Sequence, residues 1–495
     1  MIVTLSGCIR PAPQYVVITS TPEQAPSPQP PRNTDFAPTP PPTTTVARQV
    51  LTEYIVQPSD TLSGIASRFG VSVAALLDVN ALDDPNMLAV GQVLQLPEPP
   101  QAFTNDFRIV PDSRLVRGPE SSSFDVATFV AAQPGYINRA TDEVNDVTFS
   151  AAQIVERVAL EYSVDARLLL ALLEYRAQWL SNPEPDETQQ VYPLGAGPSP
   201  VGFDRDGLYR QLTWAADRLN RGYYGWKYGA LTIIEFEDGT KLQFERSLNA
   251  GTVGIQYMVS RFNDYTQWII DIDQGGLYDT YVRYFGDPFQ NNIDPLVPPL
   301  LEQPALTLPF SSGQTWFYTG GPHGGWGSGS AWAAVDFAPP DDPAEIETAC
   351  FLSDYWVTAI APGVIARTTE GVVVLDLDGD GDEATGWSVL YLHLDADSRI
   401  ASGSQVLTGD NLGRPSCEGG FSNGTHVHIA RRYNGEWIPA DCRDCPAGIS
   451  VPSFVMSDWR VEGIPGQEYQ GYIVNGAERR VAEQGRLTPD NRVSW

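Results

Sequence analysis

The sequence is poor in basic residues, in histidine and in long apolar runs. It holds 31 Lys and Arg against 61 Asp and Glu, a formal net charge of -30, and 4 His among 495 residues. Nucleic acids and anionic membrane surfaces require clustered cations, so the acidic excess excludes both as main partners. No apolar run reaches the roughly 18 to 20 residues that span a bilayer, which excludes a membrane-spanning body. The length predicts about three domains.

The N-terminal segment predicts a surface tether. Residues 1–8, MIVTLSGC, place a Leu-Ser-Gly triplet before Cys8 and resemble the lipobox of bacterial lipoproteins. The resemblance implies cleavage before Cys8 and lipid on its thiol. The charged part and most of the apolar part of a signal segment are missing, so a start site placed too late and an accidental match are the alternatives. Residues 9–50 are rich in Pro, Thr, Ser and Gln and cannot bury a core, so we expect an extended spacer in an exported protein.

The four remaining cysteines lie in the last third of the chain and are Cys350, Cys417, Cys442 and Cys445. An even set of this kind fits disulfides in an oxidising compartment, and it allows three pairings. We favour a local bridge between Cys442 and Cys445, which leaves Cys350 with Cys417, while the sequence alone leaves the other pairings open. A zinc ribbon would need a second CxxC pair, which the sequence lacks.

Residues 51–98 predict a small module. The segment begins with a strand-like YIV and ends with an alternating VLQLP, and two short helical patterns lie between them, with Asp60 placed to cap the first. The order strand, helix, helix, strand, together with SDTLSGIASRFGVS and GQVLQLP, closely resembles a LysM domain. The resemblance implies a βααβ fold that binds peptidoglycan or another glycan containing N-acetylglucosamine.

Glycan contacts follow from the same resemblance. In LysM domains the sugar lies in a shallow groove between the loop after the first strand and the loop before the last. The resemblance therefore assigns glycan contacts to Asp60, Thr61, Leu62, Asn86, Met87 and Leu88. Each of these residues has an alternative role as a helix cap or a core residue.

The sequence pattern of residues 103–300 differs from that of the preceding module and predicts an α-helical domain. Apolar residues recur at helical spacing over 151–180, which predicts two helices joined near Ser163. Further helical stretches are predicted at 207–224 and 249–272.

One of these helices faintly resembles a catalytic helix. The phrase DARLLLALLEYRAQWL is similar to the helix of lysozyme-like transglycosylases that carries their catalytic glutamate. The resemblance would give that role to Glu174, because a glutamate buried among Leu and Trp has a raised pKa and can act as a general acid. Tyr175 stands where that family has Ser. The alternatives are a carboxylate on the helix surface and a domain that binds glycan or serves as a scaffold.

All four histidines fall in residues 301–495, where strand-like runs joined by Gly, Asp and Asn turns predict a mainly antiparallel β domain. His323 lies in GGPHGGWGSGS, His393 in VLYLHL, and His426 and His428 in THVHIA. If VHIA is extended, its side chains alternate, so His426 and His428 project from one face. For an isolated HxH pair, the alternatives are an exposed strand face and histidines satisfied by hydrogen bonds.

The histidines also carry a family resemblance. A His, a downstream Asp, a lone His after an aromatic-rich strand and a final HxH resemble the lysostaphin and beta-lytic zinc endopeptidases of bacteria, which cut peptidoglycan peptides. The residues that meet this pattern are His323, Asp336, His393, His426 and His428. The long interval between His323 and Asp336 is most similar to the beta-lytic branch.

The resemblance implies a role for each residue. Zn²⁺ would be held by His323, Asp336 and His428, with a fourth position kept for water, whose pKa falls toward about 7 on the metal. His393 and His426 would stand beside that water to orient it, take its proton or stabilise the oxyanion. The sequence has no HExxH motif, so a glutamate base on a helix is not available.

Two further features of the β domain leave alternatives open. Tyr391 is predicted to share a strand face with His393 and is a candidate oxyanion stabiliser, with a packed tyrosine as the alternative. DLDGDGDE at 376–383 mimics the start of a calcium loop, but Trp387 occupies its twelfth position and the flanks predict strands. A charged hairpin tip is therefore the favoured interpretation.

The combined interpretation is an extracellular or cell-surface hydrolase of the bacterial wall. A LysM module binds glycan, a helical domain bridges, and a zinc metallopeptidase domain cleaves peptide bonds. The rival is a catalytically inactive peptidase-fold scaffold that binds the wall and regulates other hydrolases. Loss of function in such folds usually removes a metal ligand, and none of the five residues of the pattern is missing.

Overall fold

The computed structural model describes two stretches of the chain. They are residues 52–97, except 58–59, 70, 72 and 83–87, and residues 103–495, except 199–201, 342–347, 447 and 486–488. The predictions made for Cys8, for the spacer 9–50 and for Asn86 and Met87 lie outside these residues. Among the described helices, none combines the length and the apolar character needed to cross a membrane.

The first stretch forms the predicted βααβ module. Strands β1 (Thr52–Ile55) and β2 (Val93–Leu96) pair antiparallel, and helices α1 (Leu62–Phe69) and α2 (Val73–Asn80) lie between them in sequence. Their apolar faces bury a small core of Val56, Leu62, Ile65, Ala66, Val71, Leu76, Leu94 and Leu96.

The cap of α1 differs from the predicted one. The Thr61 side-chain oxygen accepts a hydrogen bond from the Gly64 backbone N–H at 3.0 Å, so Thr61 caps the helix. The Asp60 carboxylate instead accepts from the Tyr54 hydroxyl at 2.6 Å and from the Gln57 backbone N–H at 2.7 Å. Asp60 therefore closes the turn that leads into the helix.

Residues 103–300 are mainly helical, as predicted, with two small antiparallel hairpins. The helices are α3 (Val126–Ala131), α4 (Ala151–Tyr162), α5 (Ala166–Ala177), α6 (Glu187–Val191), α7 (Leu208–Lys227), α8 (Ala250–Val259), α9 (Tyr265–Asp271) and α10 (Asp279–Phe285), with a π-helical turn at Gln274–Tyr278 and 3-10 turns at Asp112–Arg114 and Tyr136–Asn138. The hairpins pair β3 (Thr141–Val144) with β4 (Val147–Ser150), and β5 (Ile233–Glu235) with β6 (Lys241–Gln243).

The helix boundaries have local causes. Ser163 adopts a left-handed conformation between α4 and α5, which ends α4 near the predicted joint. The single stretch expected at 249–272 is divided, because the Asp264 side chain accepts from the Gln267 backbone N–H and starts a new helix, α9.

The last third contains the predicted antiparallel strands. They are β7 (Thr315–His323), β8 (Ala334–Ala338), β9 (Val357–Thr358), β10 (Gly363–Thr369), β11 (Val372–Asp376), β12 (Trp387–Leu392), β13 (Gln405–Val406), β14 (Asn411–Gly413), β15 (Val427–Tyr433), β16 (Glu436–Trp437), β17 (Val455–Met456), β18 (Trp459–Ile464), β19 (Gln467–Asn475), β20 (Glu478–Val481) and β21 (Arg492–Ser494), which follows a 3-10 turn at Pro489–Asn491. The main sheet has the order β13-β10-β11-β12-β15-β8-β7-β21, with β16 beside β15, and β17 to β20 form a second sheet.

The two faces of the main sheet pack against different partners. Ala334, Val372, Val374, Leu390 and Ala430 belong to the core that the helices of residues 103–300 bury. The residues that alternate with them face the other way, into the β domain's own core, and include Val335, Val373, Leu375, Val389 and Ile429. The helical domain therefore covers one face of the sheet.

Buried charges line this junction. Glu436 on β16 is fully buried, and Lys227 of α7 lies 2.7 Å from its carboxylate while the Tyr223 hydroxyl donates to it at 3.1 Å. In the turn between β11 and β12, the Glu383 carboxylate accepts from Arg367 at 2.6 and 3.0 Å and also pairs with Arg432. Burial alone would raise the pKa of Glu383, but the two guanidinium groups lower it well below its usual value.

Replacing Glu383 with Gln is expected to lower the free energy of unfolding by about 3–5 kcal/mol, because it leaves the buried Arg432 and the partly buried Arg367 without their shared counter-ion. The midpoint of urea unfolding of the full chain measures the loss. The contribution of this carboxylate should be present above pH 4.5 and lost as the pH falls further, since its pKa is lower in the folded state.

The matched control is Glu478→Gln, which removes an exposed carboxylate 2.9 Å from Arg480. It should change the free energy of unfolding by less than about 1 kcal/mol. Equal effects of the two substitutions would contradict a structural role for the Glu383 cluster.

Candidate metal centre

Strand register brings the predicted ligands together. His323 ends β7, Asp336 lies within β8, and His428 lies within β15, where it pairs directly with Asp336. Because His428 and Asp336 alternate with core residues of their strands, both project from the face of the sheet that the helical domain covers. His426 precedes β15 by one residue and projects from the same face, as predicted from the HxH spacing.

The donor atoms converge on one point. Asp336 Oδ1 lies 3.3 Å from His323 Nε2, 3.4 Å from His428 Nδ1 and 3.7 Å from His426 Nε2. His323 Nε2 and His428 Nδ1 are 2.9 Å apart. One ligand atom from each of His323, Asp336 and His428 falls within 4.8 Å of the others, and all three residues are buried.

Backbone carbonyls fix the protonation of the histidine rings. Nδ1 of His323, His393 and His426 lies 2.8, 2.8 and 2.7 Å from the carbonyls of Gly321, Glu418 and Gly424. His428 uses its other nitrogen, with Nε2 at 3.1 Å from the Gly325 carbonyl. A carbonyl accepts only from an N–H, so each neutral ring turns its unprotonated nitrogen towards the centre of the cluster.

This arrangement fits a bound cation. The two facing nitrogens of His323 and His428 both carry lone pairs in these tautomers, so they repel unless positive charge lies between them. Among the described residues, no donor makes a hydrogen bond to the buried Asp336 Oδ1. Two imidazole nitrogens and one carboxylate oxygen are also the ligand set of catalytic zinc sites, which use three protein ligands.

The pKa shifts reflect the same crowding of polar groups. Burial alone would raise the pKa of Asp336, but His323 and His426 hold it well below its usual value. Burial acts to lower the pKa of His323, and the Asp336 carboxylate overcomes it and raises that pKa. Burial lowers the pKa of His428 and brings that of His393 to about 3, with His426 adding to the effect on His393. His393 is therefore neutral throughout the physiological range.

His393 and His426 form a second pair beside the ligand cluster, with ring centroids 4.5 Å apart. Ser416, which sequence reasoning did not identify, links them. Its N–H donates to the His393 carbonyl at 2.6 Å, and it forms a β-bridge with His426. The neighbouring Cys417 is bonded to Cys350, so a disulfide anchors the segment that orients both histidines.

The disulfides have the favoured pairing. Cys350 bonds Cys417, and Cys442 bonds Cys445.

Two more residues at the site carry no signal in the sequence. The Tyr469 ring, on β19, stacks on His323 with centroids 4.2 Å apart and planes 19° apart. Glu468 accepts a hydrogen bond from the Gly324 backbone N–H at 3.2 Å. Both come from the second sheet, 40 or more positions beyond the HxH pair. No local motif marks them, so only the packing of the second sheet against β7 identifies them.

Gly320 makes room for the carboxylate ligand. A Cβ at this position would lie 2.2 Å from Asp336 Oδ2, which is closer than atoms can approach. Any side chain here would displace the Asp336 carboxylate.

Tyr391 does not reach the site. Strand β12 ends at Leu392 and His393 has a φ of 71°, so the strand alternation that predicted a common face stops before His393. Tyr391 points into the β core, where its hydroxyl accepts from the Ile360 backbone N–H at 3.0 Å. This geometry is that of the packed tyrosine and not of an oxyanion stabiliser.

Glu174 is engaged within the helical domain. Its carboxylate accepts from the backbone N–H groups of Leu180 and Ser181 at 2.9 and 3.1 Å, and from the hydroxyls of Ser181 and Tyr284 at 2.7 and 2.9 Å. It is buried, which corrects the alternative of a helix-surface carboxylate. Four donors to one carboxylate hold the loop after α5, and Glu174 does not line the cavity beside His323, Asp336 and His428.

The acidic segment 376–383 forms the turn between β11 and β12, as expected for a hairpin tip. The Asp376 carboxylate accepts from the backbone N–H groups of Asp378, Gly379 and Gly381. Oxygens of Asp376, Asp378 and Asp380 lie within 4.8 Å of one another. The backbone bonds account for the position of Asp376.

His323, Asp336 and His428, which together form the candidate metal cluster, line a cavity of about 1240 Å³. The β domain supplies the four histidines, the glycine-rich segment 324–328 and the loop 419–425. The helical domain supplies the opposite wall, which includes Arg157, Glu161, Tyr162 and Tyr209. The site is therefore bounded by both domains.

Comparison with known proteins identifies two regions of the chain. The LysM domain model matches residues 54–97, and the LasA N-terminal domain model matches residues 108–298. The second match covers the helical region, where the sequence pattern at Glu174 pointed faintly to lysozyme-like transglycosylases.

Relatives match different parts of the chain. Protease LasA of Pseudomonas aeruginosa is 24% identical over 347 residues, which cover 66% of this chain and 74% of that protein. N-acetylmuramoyl-L-alanine amidase XlyA of Bacillus subtilis is 44% identical over 59 residues, 12% of this chain and 20% of that protein.

Solved structures match parts of the chain. The M23 metalloprotease pseudoalterin, described as from the deep sea, has 24% identity and a TM-score of 0.28, covering 37% of this chain and 96% of its own. The catalytic domain of lysostaphin from Staphylococcus simulans has 22% identity and a TM-score of 0.18, covering 25% of this chain and 87% of its own.

These findings confirm the class predicted from the sequence. A LysM domain, a LasA N-terminal domain and similarity to a protease support a modular cell-wall hydrolase, and they suggest a cell-wall peptidase. The predicted fold class, a βααβ module followed by a helical and a mainly antiparallel β region, is also confirmed.

Metal content tests the ligand assignment without any activity assay. The purified full chain is expected to retain about one zinc ion after dialysis, and Asp336→Asn or His428→Ala should weaken zinc binding at least about tenfold. Elemental analysis by plasma mass spectrometry and competition with a chelator measure both quantities. His426→Ala is the matched control, since it removes a histidine from the same strand face and should leave the zinc in place. Equal zinc retention by all the variants would contradict the assignment.

Proposed function

We propose that the chain is an exported, peptidoglycan-binding zinc metalloendopeptidase that hydrolyses peptide bonds of the bacterial cell wall. The observation that carries the proposal is the buried Asp336 oxygen, which no described donor satisfies and which three histidine nitrogens face at 3.3 to 3.7 Å. A buried anion of this kind among unprotonated nitrogens is expected where a cation binds.

In this proposal His323, Asp336 and His428 hold Zn²⁺. The metal, when bound, supplies a Lewis acid that polarises a carbonyl and lowers the pKa of water. The carbonyls of Gly321 and Gly325 each accept from one nitrogen of His323 and His428, so in the neutral rings the other nitrogens carry the lone pairs and are aimed at one point.

His393 and His426 are proposed to move the proton. Each ring donates from Nδ1 to a backbone carbonyl, so Nε2 is free to accept a proton at the cavity. The lowered pKa of His393 keeps that ring in its neutral form. The protonated ring can then donate a hydrogen bond to the oxyanion or a proton to the leaving amine.

The glycine-rich segment 324–328 suits a peptide substrate. A Cβ at Gly324 would lie 2.1 Å from the Gly327 carbonyl, and one at Gly325 would lie 2.5 Å from the Trp437 ring. The packing of the chain itself therefore requires glycine at both positions. The segment lines the cavity beside His323, where we expect its backbone to lie along the substrate peptide. Tyr469, stacked on His323 and half exposed, is proposed to contact the substrate from the other side of the ligand.

The LysM module is proposed to bind the glycan strands. The turn at Asp60 and Thr61 precedes α1, where the resemblance assigns part of the sugar groove. Leu62 is buried in the module's core, so it supports that groove from beneath. Asn86, Met87 and Leu88 remain proposed contacts from the other loop.

Binding through this module would also remove the need for charge attraction between the wall and so acidic a chain. Lipid on Cys8 would hold the protein at the cell surface.

Hydrolysis is tested with the full chain and purified peptidoglycan. New amino termini should appear with zinc, stop on addition of a chelator, and fall by at least about 100-fold in His393→Ala or His426→Ala, since general acid–base residues contribute on that order. Both variants should still bind zinc. Bound zinc without any release of amino termini by the wild-type chain would favour the regulatory scaffold instead.

Sedimentation with insoluble peptidoglycan tests the role of the LysM module. Deleting residues 51–98 should lower the fraction of protein that sediments with the polymer while leaving hydrolysis of soluble fragments unchanged, because the metal cluster lies wholly in the β domain. Unchanged sedimentation after the deletion would assign wall binding to another part of the chain.

A further inference from the structure

The helical domain contacts one rim of the metal cavity, which we call the glycine rim and define as Gly324–Ser330. Asp217 of α7 accepts from the Gly329 backbone N–H at 2.7 Å, and Arg221 donates to the Ser328 carbonyl and hydroxyl at 3.1 and 2.8 Å. A Cβ at Gly329 would lie 1.9 Å from the Asp217 carbonyl, so rim and helix are in direct backbone contact.

It also contacts the opposite rim, at the turn of Glu370 and Gly371 between β10 and β11. Asn145, in the β3–β4 hairpin, donates to both Glu370 oxygens at 3.1 Å, and Arg157 of α4 lies 3.4 Å from the same carboxylate. A Cβ at Gly371 would lie 2.4 Å from the Gly419 Cα, so this turn packs against the loop that leads to His426.

The helical domain therefore spans the cavity. Residues of both rims line the same cavity as the four histidines, and Arg157, Glu161, Tyr162 and Tyr209 form its wall on the helical side. A cavity of about 1240 Å³ accepts a small peptide, since ligand pockets of similar size enclose drug-sized molecules. A long strand lying across the metal cluster would collide with the domain between the rims.

The two rim contacts differ in strength. The contact at Gly329 is a backbone-to-carboxylate hydrogen bond in close packing, whereas the Glu370 side chain is about half exposed, at 49%. Exposed ion pairs are weak and are screened by salt. The side of the cavity at Glu370 is therefore the one that opens more easily.

We propose that the helical domain determines substrate size, so that the intact chain hydrolyses short, already released wall peptides in preference to peptides in the intact polymer. The specificity-determining contacts are those of Asn145 and Arg157 with Glu370, and of Asp217 and Arg221 with the glycine rim. The proposal rests on the proposed peptidase function and adds the class of substrate that the intact chain accepts.

The experiment compares intact peptidoglycan sacculi with the same sacculi digested to soluble muropeptides by a muramidase. Release of amino termini per peptide is measured for the full wild-type chain, for Glu370→Gln, and for Asp217→Ala combined with Arg221→Ala. The control is Asp279→Asn, which breaks an exposed pair with Arg283, away from both rims. Zinc content and thermal midpoint are recorded for every variant.

The wild-type chain should favour muropeptides, and each rim variant should raise the ratio of sacculus to muropeptide cleavage several-fold, while the control keeps the wild-type ratio. High salt should raise the ratio for the wild type and have little effect on Glu370→Gln. Comparing variants with the wild type cancels the contribution of the LysM module to sacculus binding.

Three results would overturn the proposal. One is equal cleavage of both substrates by the wild type, and another is an unchanged ratio in folded, zinc-containing rim variants. A wild type inert on both substrates whose rim variants cleave both would make the domain a complete block and not a size filter. If neither the wild type nor any variant cleaves either substrate despite bound zinc, the proposed peptidase function is wrong, and this proposal is wrong with it.

Discussion

The two-residue period of β8 and β15 fixes both the packing of the β core and the positions of Asp336 and His428. Along both strands, apolar residues such as Val335 and Ile429 fill the β core, and the residues between them face the helical domain. Asp336 and His428 occupy that second set of positions in direct register. A shift of one residue in either strand would turn Asp336 or His428 into the core of the β domain. The packing of the apolar face therefore also fixes the position of the candidate metal cluster.

The same alternation ties the cluster to the helical domain. Because the ligands lie on the covered face, the helices that bury Ala334 and Ala430 must also form part of the cavity wall. Buried charge holds this junction in place, since Glu436 of β16 meets Lys227 and Tyr223 of α7. Separating the two domains would leave these charges without their partners. The helical domain is therefore an integral part of the cavity wall.

The sequence predicted what depends on local pattern. Four histidines confined to one β region, the HxH spacing and the family resemblance that added Asp336 predicted which side chains come together in the cluster. The prediction that Tyr391 shares a strand face with His393 was wrong because His393 adopts a positive φ, and no residue type in the sequence indicates that change. Tyr469 and Ser416 were missed because long-range packing brings them to the site. Glu174 was identified as unusual, but its four hydrogen-bond donors come from a loop and a distant helix whose positions depend on tertiary structure.

The arrangement of His323, Asp336 and His428 has an energetic cost that the fold alone does not offset. Carbonyls orient the histidine lone pairs inward, and the Asp336 carboxylate is buried among them, so these groups repel or remain unsatisfied unless a cation binds. A cation at 100 times its dissociation constant would stabilise the folded chain by about 2.7 kcal/mol. Three of the strands that carry the cluster, β7, β8 and β15, are neighbours in the main sheet. Metal binding should therefore stabilise these three strands most. The helical domain, which forms one wall of the cavity, packs against two of them, β8 and β15.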